Sequence, residues 1–304
     1  MDYRYLIAGL VGLFFGGEAL VRGSVGIARR MAIPPLLIGL TVVGFGTSTP
    51  ELLVSVDAAW RGVPDIALGN IVGSNIANIL LIVGLSALVW PIRVSIGTLR
   101  RDLAVMLAAA LVLVPLFWMG SLGRPAGLLL VLALVAYLTW AWLAPGEAEA
   151  AAEATSRPLW QSLIWVGVGL AALMLGARWL VDGAVSIART HGVSEAFIGL
   201  TIVAVGTSLP ELATSIIAAL RRQSEIAIGN IVGSNIFNVL GILGVTALIA
   251  PIPVAGRFPS FDLPVMIGAS LALAVLLLLR PGIGRGVGVA MLAGYLVYVW
   301  AAQG

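Results

Sequence analysis

The sequence has no cysteine and no lysine, a single histidine, and charged residues at only 10% of its positions. Each shortage removes a class of chemistry. Without cysteine there is no disulfide frame, no thiolate nucleophile and no thiolate metal site. With His191 alone, in an expected loop, an imidazole-built zinc or di-iron site is excluded too. Soluble globules are usually about a quarter charged, so a 304-residue chain that is 60% hydrophobic lacks the polar surface to remain in water. This composition belongs in a bilayer and excludes a soluble enzyme or a disordered scaffold. The available chemistry is that of carboxylates, hydroxyls, amides and backbone, and no cofactor is expected.

The net charge is +3, and every basic residue is an arginine. The arginines fall singly or in pairs between apolar runs and form no basic tract, so a nucleic-acid partner is not expected. They read instead as topology signals. The opening stretch around Tyr3, Leu6 and Ile7 carries no small-residue cleavage site, so the first helix is expected to stay. A transmembrane helix takes about 20 residues, and the apolar runs predict spans at roughly 4–22, 34–60, 66–90, 102–120, 124–144, 159–182, 194–220, 226–250, 262–279 and 284–302. The one linker-like stretch, 145–157 (PGEAEAAAEATSR), separates residues 1–144 from 158–304.

The two parts are copies. A shift of about 160 residues lays LIGLTVVGFGTSTPELLVS over FIGLTIVAVGTSLPELATS and ALGNIVGSNIANIL over AIGNIVGSNIFNVL, with roughly 30 identities in about 50 positions. The match extends from Gly23 on Gly183 to Asp102-Leu103 on Asp262-Leu263. Five spans per copy is an odd number, so the second copy must enter the membrane from the opposite side. The expected fold is an all-α membrane protein of ten transmembrane helices in two inverted five-helix repeats, a construction common in alternating-access transporters.

Chemistry concentrates in the duplicated segments. Gly44-Phe45-Gly46-Thr47-Ser48-Thr49-Pro50-Glu51 interrupts the second span near its middle, and Gly206-Thr207-Ser208-Leu209-Pro210-Glu211 repeats the interruption. Proline has no N–H for the carbonyl four residues back and pushes it aside, so oxygens around Gly46, Thr47, Gly206 and Thr207 should lose partners. Unpaired carbonyls at that depth are tolerable where they line a cavity or meet a cation. A glutamate at the bilayer centre costs a few kcal/mol, which makes two at matching positions functional candidates rather than accidents. In the third and eighth spans, Ser74 and Asn78 share one helix face at i, i+4, as do Ser234 and Asn238, with Asn75 and Asn235 beside them. Gly69 with Gly73, and Gly229 with Gly233, are spaced for close helix packing. These oxygens suit hard cations such as calcium, which takes 6–8 oxygen ligands. Two carboxylates can neutralise one divalent ion; without it they would attract protons or monovalent cations.

The paired GTS-x-PE and GN-x-x-GSN-x-x-N segments resemble the two alpha-repeats of the sodium/calcium exchanger family, within the calcium/cation antiporter superfamily. The resemblance implies that Glu51 and Glu211 bind calcium with help from the backbone oxygens of Thr47 and Thr207. It also implies that sodium uses Ser48, Ser74, Ser208, Ser234 and the same glutamates, while Asn78 and Asn238 complete a central ring. The implied partners are Ca2+, Na+ and the lipid bilayer. Several microbial members and the potassium-dependent branch look acidic where this chain has Asn238, which argues against potassium co-transport. A calcium/proton antiporter remains a rival reading, as does an intramembrane enzyme using the glutamates as acid and base.

The remaining charges read more plainly. Glu18 with Arg22, and Arg178 with Asp182, are i, i+4 pairs of the interfacial kind; Asp102 and Asp262 are expected to open helices; and tryptophans such as Trp60, Trp118 and Trp300 anchor span ends. Arg22, Arg29, Arg30, Arg93, Arg100, Arg101, Arg157, Arg221, Arg222, Arg280 and Arg285 fall on one side, against Arg4, Arg61, Arg124, Arg178, Arg189 and Arg257 on the other. The richer side should be cytoplasmic, with both termini outside an inner membrane. A cysteine introduced at Ala151 should therefore escape an impermeant thiol reagent on intact cells, while one at Gly304 should react. The opposite labelling would invert the topology.

Overall fold

A computed structural model describes residues 2–143, 158–191, 204–280 and 282–302. The 145–157 linker and the opening of the expected span at 194–220 lie outside the described residues. Helix α1 (Asp2–Met31) leads into a broken pair, α2 (Pro35–Thr47) and α3 (Thr49–Trp60), followed by α4 (Pro64–Val89), α5 (Ile96–Trp118) and α6 (Arg124–Leu143). The second half runs through α7 (Leu159–Thr190), a single turn at Ala204–Gly206, α8 (Leu209–Leu220), α9 (Ser224–Ile249), α10 (Phe258–Leu279) and α11 (Arg285–Ala301). Proline starts α2 and α4, where its missing N–H has no intrahelical role. Among the described residues seven helices are long and apolar enough to cross a membrane, or eight if α2 and α3 form one bent span. The apolar helices α8 and α11 are shorter.

The first and sixth expected spans stop short of the helices observed. Arg22, Arg29, Arg30 and Arg189 end the apolar runs, but backbone hydrogen bonds continue through them because they need no apolar side chain. At 30 and 32 residues, α1 and α7 are about 45 Å long and exceed the ~30 Å hydrocarbon layer, so they must tilt or project. They form the most extensive helix pair, antiparallel, with backbones close enough that a Cβ on Gly16 would lie 2.7 Å from the Leu173 nitrogen and one on Gly176 2.7 Å from that of Leu13. In the second copy Gly229 and Gly233 pack on Leu36 and Leu40 of α2, as their spacing suggests. At Gly69 and Gly73 an added Cβ meets no described atom within 4 Å, so close packing is seen only in the second copy.

The core divides in two. One apolar cluster joins α4, α5 and α6 to α9 and α10 through residues such as Ile71, Leu113, Phe117, Ile236 and Leu273. The other seats the α1–α7 pair, through Leu20, Val166 and Leu173, on Ile38, Val43 and Ile217. Two short antiparallel ribbons tie the copies: β1 (Ile92–Arg93) pairs with β4 (Gly282–Ile283), and β2 (Ser121–Leu122) with β3 (Ile252–Pro253). Their registers, Ile92 on Ile283 and Leu122 on Ile252, are the same pairing with the copies exchanged.

Two of the plain charge readings change. Asp102 does not open a helix; it lies buried on the seventh residue of α5, bonded by the Arg101 Nε at 2.8 Å and the Tyr137 hydroxyl at 3.1 Å. Asp262 is likewise buried, held by Arg257 at 3.0 Å and Tyr298 at 3.0 Å. A buried carboxylate needs donors more than it needs a helix end. Glu18 pairs with Arg22 as expected, but Arg221 at the end of α8 also reaches it, at 2.8 Å, so the pair crosses between halves. Trp60, Trp118 and Trp300 are exposed at helix ends.

Gly176→Val should wedge α1 from α7 and lower stability by about 1–3 kcal/mol, read as a drop in the thermal unfolding midpoint in detergent. Gly167→Val, where no atom lies within 4 Å of the added carbon, should leave the midpoint nearly unchanged.

Candidate ion site

The break between α2 and α3 falls at Ser48, whose φ of −82° and ψ of 6° leave helical geometry, and the two helices bend there by 43°. Ser208, at φ −88° and ψ 8°, repeats it. Pro50 and Pro210 follow two residues later in the first turn of the next helix, so proline starts the second half-helix rather than forming the hinge itself. Gly46 still loses the N–H that residue 50 would have supplied. Glu51 and Glu211 sit in those first turns, where the helix dipole favours a carboxylate.

Both glutamates are 1% exposed. Each is held from the other half: the Ser48 hydroxyl donates to Glu211 Oε1 at 3.0 Å, and the Ser208 hydroxyl to Glu51 Oε1 at 3.2 Å. Ser208 Oγ also lies 3.3 Å from Ser74 Oγ, and Ser234 Oγ donates to the Gly44 carbonyl at 3.3 Å. Thr47 and Thr207 reach across in the same way, donating to Asn230 Oδ1 at 3.0 Å and Asn70 Oδ1 at 3.2 Å. All of these residues except the half-buried Thr207 and Asn70 are fully buried.

Asn78 opens a π-helical stretch, Asn78–Ile82, within α4, and Asn238 lies in the matching stretch Phe237–Leu243 of α9. Such insertions in α-helices recur at functional sites. The first stretch packs on α8, which carries Glu211, and the second on α3, which carries Glu51. The amide of Asn78 donates to Asn235 Oδ1 at 3.0 Å and that of Asn238 to Asn75 Oδ1 at 3.2 Å. Asn75 and Asn235 thus orient the ring asparagines, with their own amides 3.5 Å from Met266 Sδ and 3.7 Å from Met106 Sδ.

These bonds leave one oxygen on each of four residues buried without a donor: Glu51 Oε2, Glu211 Oε2, Asn78 Oδ1 and Asn238 Oδ1. A buried acceptor with no partner is costly, and a pair of carboxylate oxygens with a pair of amide oxygens is a donor set that a hard cation satisfies. Among the described residues no group of three or more His, Cys, Asp or Glu side chains is arranged for a metal.

Asn70 and Asn230, which the sequence does not single out, complete the layer. Asn70 Nδ2 donates to the Glu51 carbonyl at 3.1 Å and Ser55 Oγ at 2.9 Å, and Asn230 Nδ2 to the Glu211 carbonyl at 3.3 Å and Ser215 Oγ at 2.9 Å. The signal was present: Asn70, Ser74 and Asn78 recur every fourth residue, hence on one helix face.

Buried oxygens on broken, duplicated helices define a polytopic membrane transport protein. The chain belongs to the family described as sodium/calcium exchanger protein, whose model matches residues 3–143 and 161–303. It is 41% identical over 307 residues to the putative antiporter CaxA of Alkalimonas amylolytica, covering 97% of this chain and 96% of that one. It is 31% identical to the sodium/calcium exchanger MaX1 of Methanosarcina acetivorans over 98% of this chain and 97% of that one. A structure of the sodium-calcium exchanger NCX_Mj superposes with a TM-score of 0.87 at 34% identity, covering 98% of both chains. The Ca(2+)/H(+) antiporter ChaA of Bacillus subtilis is 28% identical over 78% of this chain and 75% of its own.

Asn230→Ala should take the amide donor from the Glu211 carbonyl and from Ser215 Oγ, while the Thr47 hydroxyl keeps the Val43 carbonyl at 3.1 Å. The expected loss is about 1–3 kcal/mol for each group left buried and unsatisfied, seen as a lowered unfolding midpoint. Added calcium should restore less of that midpoint than it does in the unsubstituted protein.

Proposed function

We propose that the protein is a secondary-active antiporter that exchanges Na+ for Ca2+ across an inner membrane by alternating exposure of one buried site. The four donorless oxygens of Glu51, Glu211, Asn78 and Asn238 carry this reading, with Thr47, Thr207, Ser48, Ser208, Ser74 and Ser234 completing the ion path. Two carboxylates balance one calcium ion, and sodium ions can take its place among carboxylate, hydroxyl and amide oxygens. The site is built from two five-helix repeats, 1–144 and 158–304, inverted in the membrane to give ten spans, with both termini outside and the 145–157 linker in the cytoplasm. The exchanged ribbon registers and the reciprocal Ser48–Glu211 and Ser208–Glu51 bonds fit a two-fold relation between the copies, and the antiparallel packing of α1 on its counterpart α7 supports inversion. An inverted repeat lets one site be closed from either face by equivalent motions.

A calcium/proton antiporter is the second reading, favoured by the relative of that name and by the same glutamates, which can carry protons. Asn238 weighs against it, since an amide removes one titratable group from the ring. An acid/base enzyme is less well supported, because a catalytic pair needs unlike environments and here each glutamate accepts from the equivalent serine of the other half.

Purified protein in liposomes should take up calcium when sodium is loaded inside and potassium is absent. If more than two sodium ions replace each calcium, uptake will also respond to an imposed membrane potential. Glu51→Gln and Glu211→Gln should each abolish uptake while the protein still inserts. Near-normal uptake in either variant would remove the site, and robust uptake driven by a pH gradient without sodium would assign the proton antiporter.

A further inference from the structure

A cavity of about 730 Å³ opens among helix ends on the arginine-rich face, away from the ion site. Its lining includes Arg93 on β1, Arg222 and Glu225 at the α8–α9 turn, Arg285 at the start of α11, and Trp90 at the end of α4. Three guanidinium groups and one carboxylate face it.

Duplication supplies an internal control for what the fold requires here. Arg285 is needed in both halves: its Nε donates to the Leu88 carbonyl at 3.1 Å, and its counterpart Arg124 donates to Leu248 at 3.2 Å. The others have no such counterpart. At the shift of about 160 residues, Trp90 corresponds to Ala250, Arg93 to Pro253 and Arg222 to Gly62. Gly62 has φ +73° and Arg222 φ +59°, so the second copy places an arginine in the left-handed region where the first uses glycine. A side chain there is disfavoured by about 1–2 kcal/mol. Arg222 lies over the Trp90 ring with its guanidinium 4.6 Å from the centroid. A bias of positive charge toward one membrane face needs neither a strained backbone nor convergence on a cavity.

We propose that this cavity binds a phosphate-bearing anion, supplied by the head group of an anionic phospholipid. Arg93 and Arg222 present paired donors that match phosphate geometry, Arg285 closes the third side, and Trp90 fixes Arg222 at the level of the span ends. The walls are helix termini, which is where lipid head groups lie. This site is independent of which ions the protein exchanges.

The test uses the full chain in nanodiscs of phosphatidylcholine alone or mixed with phosphatidylglycerol. Retained lipid is read by native mass spectrometry and stability by thermal unfolding. Phosphatidylglycerol should be retained selectively and should raise the midpoint. Arg93→Gln combined with Arg222→Gly should lose both effects, by about fivefold in lipid affinity per arginine. The glycine restores the residue the first copy carries, so an undiminished midpoint in phosphatidylcholine will certify the fold. Arg100→Gln, on the same face but outside the cavity lining, should behave as the unsubstituted protein. A midpoint rise with inorganic phosphate in phosphatidylcholine, lost in the double variant, would uphold the phosphate site and assign it to a soluble anion. Unchanged phosphatidylglycerol retention in the double variant, or an equal loss in Arg100→Gln, would overturn the proposal.

Discussion

Two carboxylates buried in the middle of an apolar bundle have to be held by something, and in this protein each is held by a hydroxyl from the opposite half. Ser48 bonds Glu211 and Ser208 bonds Glu51. The two serines are themselves the break points of their helices, one in each half. The breaks in turn place the glutamates in first turns, where the helix dipole offsets part of their desolvation. Behind them Asn70 and Asn230 clamp the glutamate backbones and receive the threonine hydroxyls, while one oxygen on each of Glu51, Glu211, Asn78 and Asn238 stays without a donor.

The duplication reaches beyond the site. The tyrosine bonds to Asp102 and Asp262 occur once within each half, while the arginine bonds to the Leu88 and Leu248 carbonyls and the two ribbons form reciprocal pairs between the halves. Departures from that correspondence are therefore informative. Glu18 collects Arg22 and Arg221, whereas at the related positions Arg178 and Asp182 stand 3.9 Å apart and exposed. Arg222 stands where the other copy has glycine.

Much of the site was legible in the sequence because its residues come in two short segments, each printed twice. Repetition singled out the glutamates, the serines and the asparagines, and the proline located the break to within two residues. Asn70 and Asn230 were passed over although they lie on the same helical face as Ser74, because helical spacing names a face and not the atom opposite it. The roles of Asp102 and Asp262 are hidden for a related reason: a carboxylate near a helix start is consistent with capping, and only the neighbouring helix reveals that a tyrosine donates to it.

The sequence by itself determined the membrane class, the duplication, the place of the helical breaks to within two residues and the kinds of oxygen available there, since these follow from composition, internal similarity and the preference of proline for a helix's first turn, all local or repetitive properties. The tertiary structure decided the crosswise partners. Which serine meets which glutamate, which asparagine oxygens stay without donors, and where three arginines converge depend on segments roughly 160 residues apart packing face to face. No local pattern encodes those pairings, because burial and hydrogen bonding are properties of both surfaces at once.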